Sequence, residues 1–79
     1  MVNPIVEFRV TRGISRRDLA VMCGVNYSEV YASERGLVLR PHRRILHGLA
    51  TLGYPEQTLL KDYQAYRRSS GEELLKKAE

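Results

Sequence analysis

The sequence contains a single cysteine, Cys23, and this excludes an internal disulfide framework. It also has no apolar run near the roughly 18 residues that a membrane-spanning helix needs. The N-terminus lacks the charged stretch followed by an apolar run that is typical of a signal peptide. We therefore expect a cytoplasmic protein that neither requires oxidising conditions nor crosses a membrane.

The residue combinations that enzymes and metal sites use are equally scarce. His42, His47 and Cys23 do not have the spacing of zinc ligands. We find no Ser/His/Asp set, no glycine loop suited to cradling phosphate and no convincing carboxylate pair. The sequence therefore predicts no enzymatic activity, no metal, no cofactor and no small-molecule ligand.

The chain of 79 residues carries a net charge of +4, and the excess lies in its first half. Residues 9–44 contain eight arginines and three acidic residues, whereas residues 45–79 contain five basic and five acidic residues. The planar guanidinium group of arginine matches the geometry of phosphate. This distribution indicates a polyanionic partner on one face, although an ordinary solvated surface is the alternative.

The pattern of apolar residues is helical throughout, with no internal repeat and no competing strand pattern. Glycine and proline divide the chain, and we predict a compact all-α fold of five helices in one domain, residues 1–68. The predicted helices are Pro4–Arg12, a second between Ser15 and Gly24, a third between Asn26 and Gly36, His42–Leu52 and Glu56–Arg68. The tail, residues 69–79, is predicted to be either a short docked helix capped by Ser70 or a frayed segment.

Two helix starts have the spacing of a capping box. Ser15 is followed three residues later by Asp18, and Asn26 is followed three residues later by Glu29. We expect both first residues to accept a hydrogen bond from the backbone through their side chains. In the second helix, Leu19, Met22 and Cys23 are predicted to form the apolar stripe.

The second and third helices also have the residue types that a helix-turn-helix needs over about residues 15–35. Ala20 is small enough for the next helix to cross closely over it. Gly24 tolerates the positive φ of a tight turn. Leu19, Val25 and Val30 are apolar and are expected to lock the two helices together.

From about Ile5 to Gly53 the sequence resembles the helix-turn-helix domains of the Cro/repressor type, also known as the xenobiotic-response-element family. The matching segments are "RGIS" (12–15), "DLA" (18–20), "GV" (24–25), "SEV" (28–30), "ERG" (34–36), Pro41 and "LA" (49–50). The resemblance implies a five-helix domain that binds operator DNA, usually as a dimer, with the second helix of the motif in the major groove.

The resemblance places Tyr27, Ser28, Tyr31 and Ala32 at the positions that face the bases. None of these side chains offers the two-pronged hydrogen bonding of arginine to guanine or glutamine to adenine. Serine can bond to several base edges, and tyrosine can give its hydroxyl to a phosphate or pack its ring on a thymine methyl. We therefore expect a weak or water-mediated sequence preference, with a contribution from DNA shape.

The resemblance and the charge pattern also assign residues to the DNA backbone and to the fold. Arg16 occupies the first position of the second helix, where the family often contacts a phosphate, and helix-start N–H groups add to that attraction. Arg9 and Glu34 fall where the family commonly has an ion pair. The candidate phosphate contacts are Arg16, Arg17, Asn26, Arg40, Arg43 and Arg44.

Two features depart from the family pattern. Ser33 lies where an apolar residue normally packs under the recognition helix, so we expect a small or polar spot in the core. The segment "LVLR", residues 37–40, replaces a loop that is usually polar and shorter. Its apolar side chains either fill the space beside Ser33 or form an exposed patch for a partner chain.

These features favour a transcriptional regulator of bacterial or phage origin, most simply a repressor, that binds DNA as a homodimer. The neutral second half is the better candidate for the dimer contact. The residues proposed for that contact are Leu59, Tyr63, Leu74 and Leu75. The alternative is a protein-binding helix-turn-helix, such as an antitoxin or anti-regulator, that holds a partner protein with the 37–40 loop and the C-terminal helices.

Overall fold

A computed structural model describes residues 1–78 as five helices packed around one core. The described residues contain no strand, and this confirms the predicted all-α fold. No helix among them is both long and apolar enough to cross a membrane. The helices are α1 (Pro4–Thr11), α2 (Arg16–Cys23), α3 (Tyr27–Glu34), α4 (Arg43–Thr51) and α5 (Glu56–Ala78).

The start of α1 is fixed by Asn3, which also joins this helix to the end of α3. Its side-chain oxygen accepts a hydrogen bond from the backbone N–H of Ile5 at 2.9 Å, and Pro4 occupies the first turn. The side-chain amide donates to the carbonyls of Ser33 and Glu34 at 2.9 and 3.0 Å. One buried residue therefore caps α1 and anchors it to the end of α3.

The predicted side-chain cap of α2 is confirmed, whereas at α3 the predicted N-cap residue is confirmed and its predicted hydrogen bond is wrong. The hydroxyl of Ser15 accepts a hydrogen bond from the N–H of Asp18 at 3.0 Å, and Gly24 ends α2 at a φ of +69°. Asn26 occupies the N-cap position of α3, but its side chain makes no capping hydrogen bond. That side chain is exposed, and it leaves the first N–H groups of α3 without a side-chain partner from this position.

The core combines residues from all five helices. Met22 is exposed, so the predicted stripe of α2 is wrong at that position. Leu19, Ala20 and Cys23 point inward instead, because α2 packs against both α3 and α4. The buried apolar residues are Ile5, Leu19, Ala20, Cys23, Val30, Ile45, Leu46, Leu49, Leu59 and Tyr63.

Helices α2 and α4 approach closely where Cys23 faces Gly48. A Cβ atom on Gly48 would lie 2.6 Å from the sulfur of Cys23, closer than real Cβ contacts. The missing side chain of Gly48 therefore makes room for the thiol. Burial also raises the pKa of Cys23 above its ordinary value, which keeps the thiol protonated.

The C-terminal tail is part of α5, so the prediction of a separate tail helix capped by Ser70 is wrong. Helix α5 runs without interruption through Ser69, Ser70 and Gly71 to Ala78. The half-buried side chain of Arg67 donates a hydrogen bond from Nε to the carbonyl of Gly36 at 3.1 Å. This contact between α5 and the end of α3 stabilises the helical conformation of α5 close to residues 69–71, where the local sequence predicts a break.

Leu59 and Tyr63 lie in the core rather than at an interface. Both side chains are fully buried, and the hydroxyl of Tyr63 donates to the carbonyl of Val38 at 2.8 Å. The prediction that these two residues form a dimer contact is therefore wrong, because the monomer itself covers them. Leu74 and Leu75, the other two candidates, are exposed on α5.

The 37–40 loop divides between the two predicted roles. Val38 packs against the core, whereas Leu37 and Leu39 are 68% and 79% exposed. Ser33 is fully buried, and its hydroxyl has no hydrogen-bond partner. The expected polar spot under α3 is thus present, and Val38 alone of the three apolar loop residues packs inward.

Candidate functional site

The outward face of α3 brings together the four residues predicted to face bases. Tyr27, Ser28 and Tyr31 are exposed, and Ala32 is half-buried beside them. Val30, Ser33 and Glu34 on the opposite side are buried, because the helical repeat turns them toward the core. These four side chains therefore share one accessible surface.

Glu34, at the end of α3, is a buried carboxylate held by two arginines. Its side chain is only 3% exposed. Arg9 on α1 donates to it from Nε at 2.8 Å and from Nη2 at 3.1 Å. Arg16 on α2 donates from Nε at 2.9 Å. The ion pair expected between Arg9 and Glu34 is thus present, and Arg16 joins it to link α1, α2 and α3.

Arg16 also contacts the base-facing surface, which the sequence did not indicate. Its Nη1 donates to the hydroxyl of Tyr27 at 3.2 Å. The hydrogen bonds to Tyr27 and Glu34 raise the pKa of Arg16 above its ordinary value, so that the guanidinium stays charged. A phosphate contact by Arg16 remains a prediction, and part of its donor capacity is already used inside the protein.

Tyr31 lies close to two guanidinium groups. The central carbons of Arg16 and Arg35 are 5.7 and 5.8 Å from the centre of its ring, within the range of a cation–π contact. Arg35 is exposed, and it is not among the residues predicted from the sequence to contact DNA. Its position four residues after Tyr31 is the signal that could have identified it, because residues at this spacing are neighbours on a helix surface.

The turn before α3 and the start of α4 form a second basic part of the site. Asn26, Arg43 and Arg44 line a shallow depression of about 290 Å³ together with Gly24 and the acidic residue Glu29. Arg44 donates from Nη1 to the carbonyl of Gly24 at 3.1 Å. Three of the six predicted phosphate contacts therefore lie together beside the N-terminal end of α3, where free backbone N–H groups attract anions.

The remaining predicted phosphate contacts are placed differently. Arg17 is exposed in the first turn of α2. Arg40 donates to Glu56 at the start of α5 at 3.3 Å, and both side chains are largely exposed. An exposed pair of this kind is weak, so Arg40 can exchange this partner for another anion.

A groove of about 460 Å³ separates the end of α3 from the C-terminal part of α5. Tyr31 and Arg35 line it on one side, and Tyr66 and Leu74 line it on the other. Leu74 also borders a neighbouring depression beside Leu37. Leu37 of the 37–40 loop and Leu74 of α5 thus lie near each other, among polar and charged residues.

The chemistry of the site is that of binding groups. Within residues 1–78, no cluster of three or more His, Cys, Asp or Glu side chains is placed to hold a metal ion. The outward face of α3 offers hydroxyl, aromatic and guanidinium groups.

Comparison with models of protein families, with curated proteins and with solved structures finds no match to this chain.

Proposed function

We propose that this protein is a helix-turn-helix regulator that binds double-stranded DNA by placing α3 in the major groove. The observation that carries this proposal is the exposed face of α3 with basic groups at both ends. Arg43 and Arg44 lie beside its N-terminal end and Arg35 lies at its C-terminal end. A helix of this diameter fits the major groove, and arginines at its ends suit the flanking phosphates.

The residues divide into two roles in this proposal. Tyr27, Ser28, Tyr31 and Ala32 meet the base edges because they share the exposed face. The other residues contact phosphates and fix the register of the protein on the duplex. The phosphate contacts are Arg17, Asn26, Arg35, Arg40, Arg43 and Arg44, with Arg16 able to contribute its remaining donor group.

The protein acts as a homodimer in this proposal, and the contact lies on the C-terminal part of α5. Leu74 and Leu75 are exposed there, beyond the region where Arg67 ties the helix to the end of α3. A short helical extension with few tertiary contacts is marginal in water. A second copy would cover both leucines and place two α3 helices about 34–36 Å apart on a two-fold symmetric operator.

Such a dimer would repress transcription by excluding polymerase from an occupied operator, in the cytoplasm of a bacterium or a phage-infected cell. In this proposal, control of the repressor by its concentration, by a partner protein or by proteolysis is the simplest arrangement. Activation would need an additional contact with polymerase.

Selection of bound sites from random duplex DNA tests the proposal directly. We expect a preferred site with two-fold symmetry, and an affinity that falls steeply between about 50 and 200 mM salt. Replacing Arg43 and Arg44 by glutamine should lower the affinity for every sequence and reduce the salt dependence. Arg12→Gln is the matched control, because Arg12 lies over the ring of Phe8 and outside this surface. Absence of any duplex binding at low salt would refute the proposal.

The dimer is tested by light scattering after size-exclusion chromatography. We expect the wild type to have twice the mass of one chain, and the Leu74→Asn, Leu75→Asn variant to have the mass of a single chain. Val21→Asn on α2 is the control, since Val21 is equally exposed and lies on another helix. A monomeric wild type at micromolar concentration, also in the presence of duplex DNA, would refute the dimer.

A protein-binding helix-turn-helix is the second candidate, and the exposure of Leu37 and Leu39 favours it. Leu37 also borders the same depression as the exposed Leu74 of α5, so that a partner protein could contact the loop and α5 together. No mobility shift with duplex DNA at any salt concentration, together with a stable complex with a co-encoded protein, would support this function. Retained binding of that protein by a Leu37→Ser, Leu39→Ser variant would contradict it.

A further inference from the structure

The base-facing surface of α3 combines aromatic rings with a methyl group. Tyr27 and Tyr31 are separated by one helical turn, and Ala32 adds its methyl group beside them. Of the four residues, only Ser28 has a small polar side chain. No side chain at these positions has the paired hydrogen-bonding groups that distinguish guanine or adenine in the major groove.

The hydroxyl of Tyr27 is held from within the protein. It accepts a hydrogen bond from Nη1 of Arg16 at 3.2 Å, and Nε of the same guanidinium is fixed by the buried carboxylate of Glu34 at 2.9 Å. Arg16 is therefore a positioning residue that restrains the end of the Tyr27 side chain. The ring of Tyr27 is exposed for a ligand to pack on, and the hydroxyl keeps its own hydrogen for donation.

The ring of Tyr31 is restrained in a similar way. The guanidinium groups of Arg16 and Arg35 both lie within 6 Å of its centre. Cations at this distance are attracted to the electron-rich face of an aromatic ring and limit its rotation. The two tyrosines thus form a restrained apolar surface, and little side-chain entropy is lost when a ligand packs on it.

We propose that this surface recognises the C5-methyl group of a pyrimidine, and that thymine is the base that supplies it. The inference rests on the proposed binding of α3 in the major groove. Among the four natural bases, only thymine presents an apolar group at the edge that faces this groove. Tyrosine rings and the Ala32 methyl group are suited to cover that methyl group and exclude water from it.

Replacement of thymine by uracil in the selected site is the direct test, because it removes the methyl group and keeps every hydrogen-bonding group. We expect the dissociation constant to rise about fourfold for each methyl group that α3 covers. Uracil outside the contacted positions is the control and should leave the affinity unchanged. The salt dependence should also stay unchanged, since no phosphate contact is lost.

A second arm identifies the source of the methyl group. Thymine–adenine pairs at the sensitive positions are replaced by cytosine–guanine pairs, with either cytosine or 5-methylcytosine. If methylation of the cytosine restores affinity, the surface recognises the methyl group on either pyrimidine. If it does not, while uracil still weakens binding, recognition is specific to thymine.

Variants of the protein connect the effect to α3. Tyr27→Phe keeps the ring and is expected to retain discrimination between thymine and uracil, whereas Tyr27→Ala and Tyr31→Ala should each reduce it. Val21→Ala is the matched control, because Val21 is exposed on α2 and outside the surface. Circular dichroism of each variant establishes that it is folded.

Two outcomes would overturn the inference and leave the proposed function intact. The first is preferential binding of a selected duplex that is equally tight with uracil at every position. The second is a selected site without thymine opposite α3. Absence of sequence-preferring duplex binding would instead overturn the proposed function on which the inference rests.

Discussion

Replacing Glu34 by glutamine tests whether the buried ion pairs hold the first three helices together. The substitution keeps the size of the side chain but removes its charge. It also replaces one acceptor oxygen by an N–H₂ group that faces the donors of Arg9 and Arg16. Three arginine N–H groups now bond to the two carboxylate oxygens, and a neutral amide cannot accept all of them.

The two arginines contribute unequally to the expected loss of stability. The side chain of Arg9 is only 13% exposed, so its charge stays largely buried without a full partner. Arg16 is 39% exposed and regains hydration, so its share is small. Breaking a buried ion pair by removal of one partner costs about 3–5 kcal/mol. Because the glutamine keeps one acceptor oxygen, we expect Glu34→Gln to cost about 3 kcal/mol, at the lower end of this range. That is a large part of the roughly 4–12 kcal/mol expected for a domain of this size.

Urea denaturation followed by far-UV circular dichroism measures this loss of unfolding free energy. In thermal denaturation, the same loss should lower Tm by about 12–24 °C. Glu56→Gln is the control, because the same change there breaks the exposed pair with Arg40. We expect that control to lose less than about 1 kcal/mol. Unfolding free energies of the two variants that agreed within about 0.5 kcal/mol would show that the buried ion pairs stabilise the fold no more than the exposed pair does.

Three further predictions concern the core. Ser33→Ala should stabilise the protein by about 1–2 kcal/mol in the same urea assay, because it removes a buried hydroxyl without a partner; a loss of stability would mean that the hydroxyl is hydrogen-bonded. Gly48→Ala should destabilise the protein by about 1–3 kcal/mol, although alanine has the better helix propensity, because the new Cβ meets the sulfur of Cys23. Adding Cys23→Ala should recover part of this loss. The free energy of unfolding should fall as pH rises above 10.0, the ordinary pKa of tyrosine. Burial raises the pKa of Tyr54 and Tyr63 in the folded state, so these tyrosines ionise first in the unfolded chain. Their stabilising contribution is therefore present below pH 10.0 and is lost above it. Urea midpoints between pH 8 and 11 that do not change would contradict this.

Local sequence signals predicted most of the helix boundaries. The hydroxyl at Ser15 caps α2 and the glycine at position 24 ends it, as expected from residue types whose preferences are set by their own backbone geometry. Asn3 capping α1 was missed, although asparagine directly before Pro4 is a recognisable signal. The ion pair between Arg9 and Glu34 was expected only from the family resemblance, since nothing local relates residues 25 positions apart.

The dimer candidates and the continuous α5 show where local signals fail. Serine and glycine at positions 69–71 favour a break, and their preferences amount to at most about 0.7 kcal/mol for each serine and about 1 kcal/mol for the glycine. Packing of Tyr66 and Arg67 against Gly36 involves residues about 30 positions away, and it favours continuation of the helix through the break. Likewise, the spacing of apolar residues on α5 identifies an apolar face of this helix. It does not indicate whether that face packs against the core of the same chain or against a partner chain.

The sequence by itself determined the all-α class and the start and end of α2, because capping, turn geometry and helical periodicity act over a few residues. The outward position of the four residues proposed to meet DNA was expected from the family resemblance. The tertiary structure decided that Arg16 restrains Tyr27, that Arg35 reaches Tyr31, and that Leu59 and Tyr63 belong to the core. Arg16 and Tyr27 come from different helices, and Leu59 and Tyr63 are covered by distant parts of the chain. Arg35 and Tyr31 are near in sequence, but their contact depends on side-chain orientation, which residue type alone does not specify.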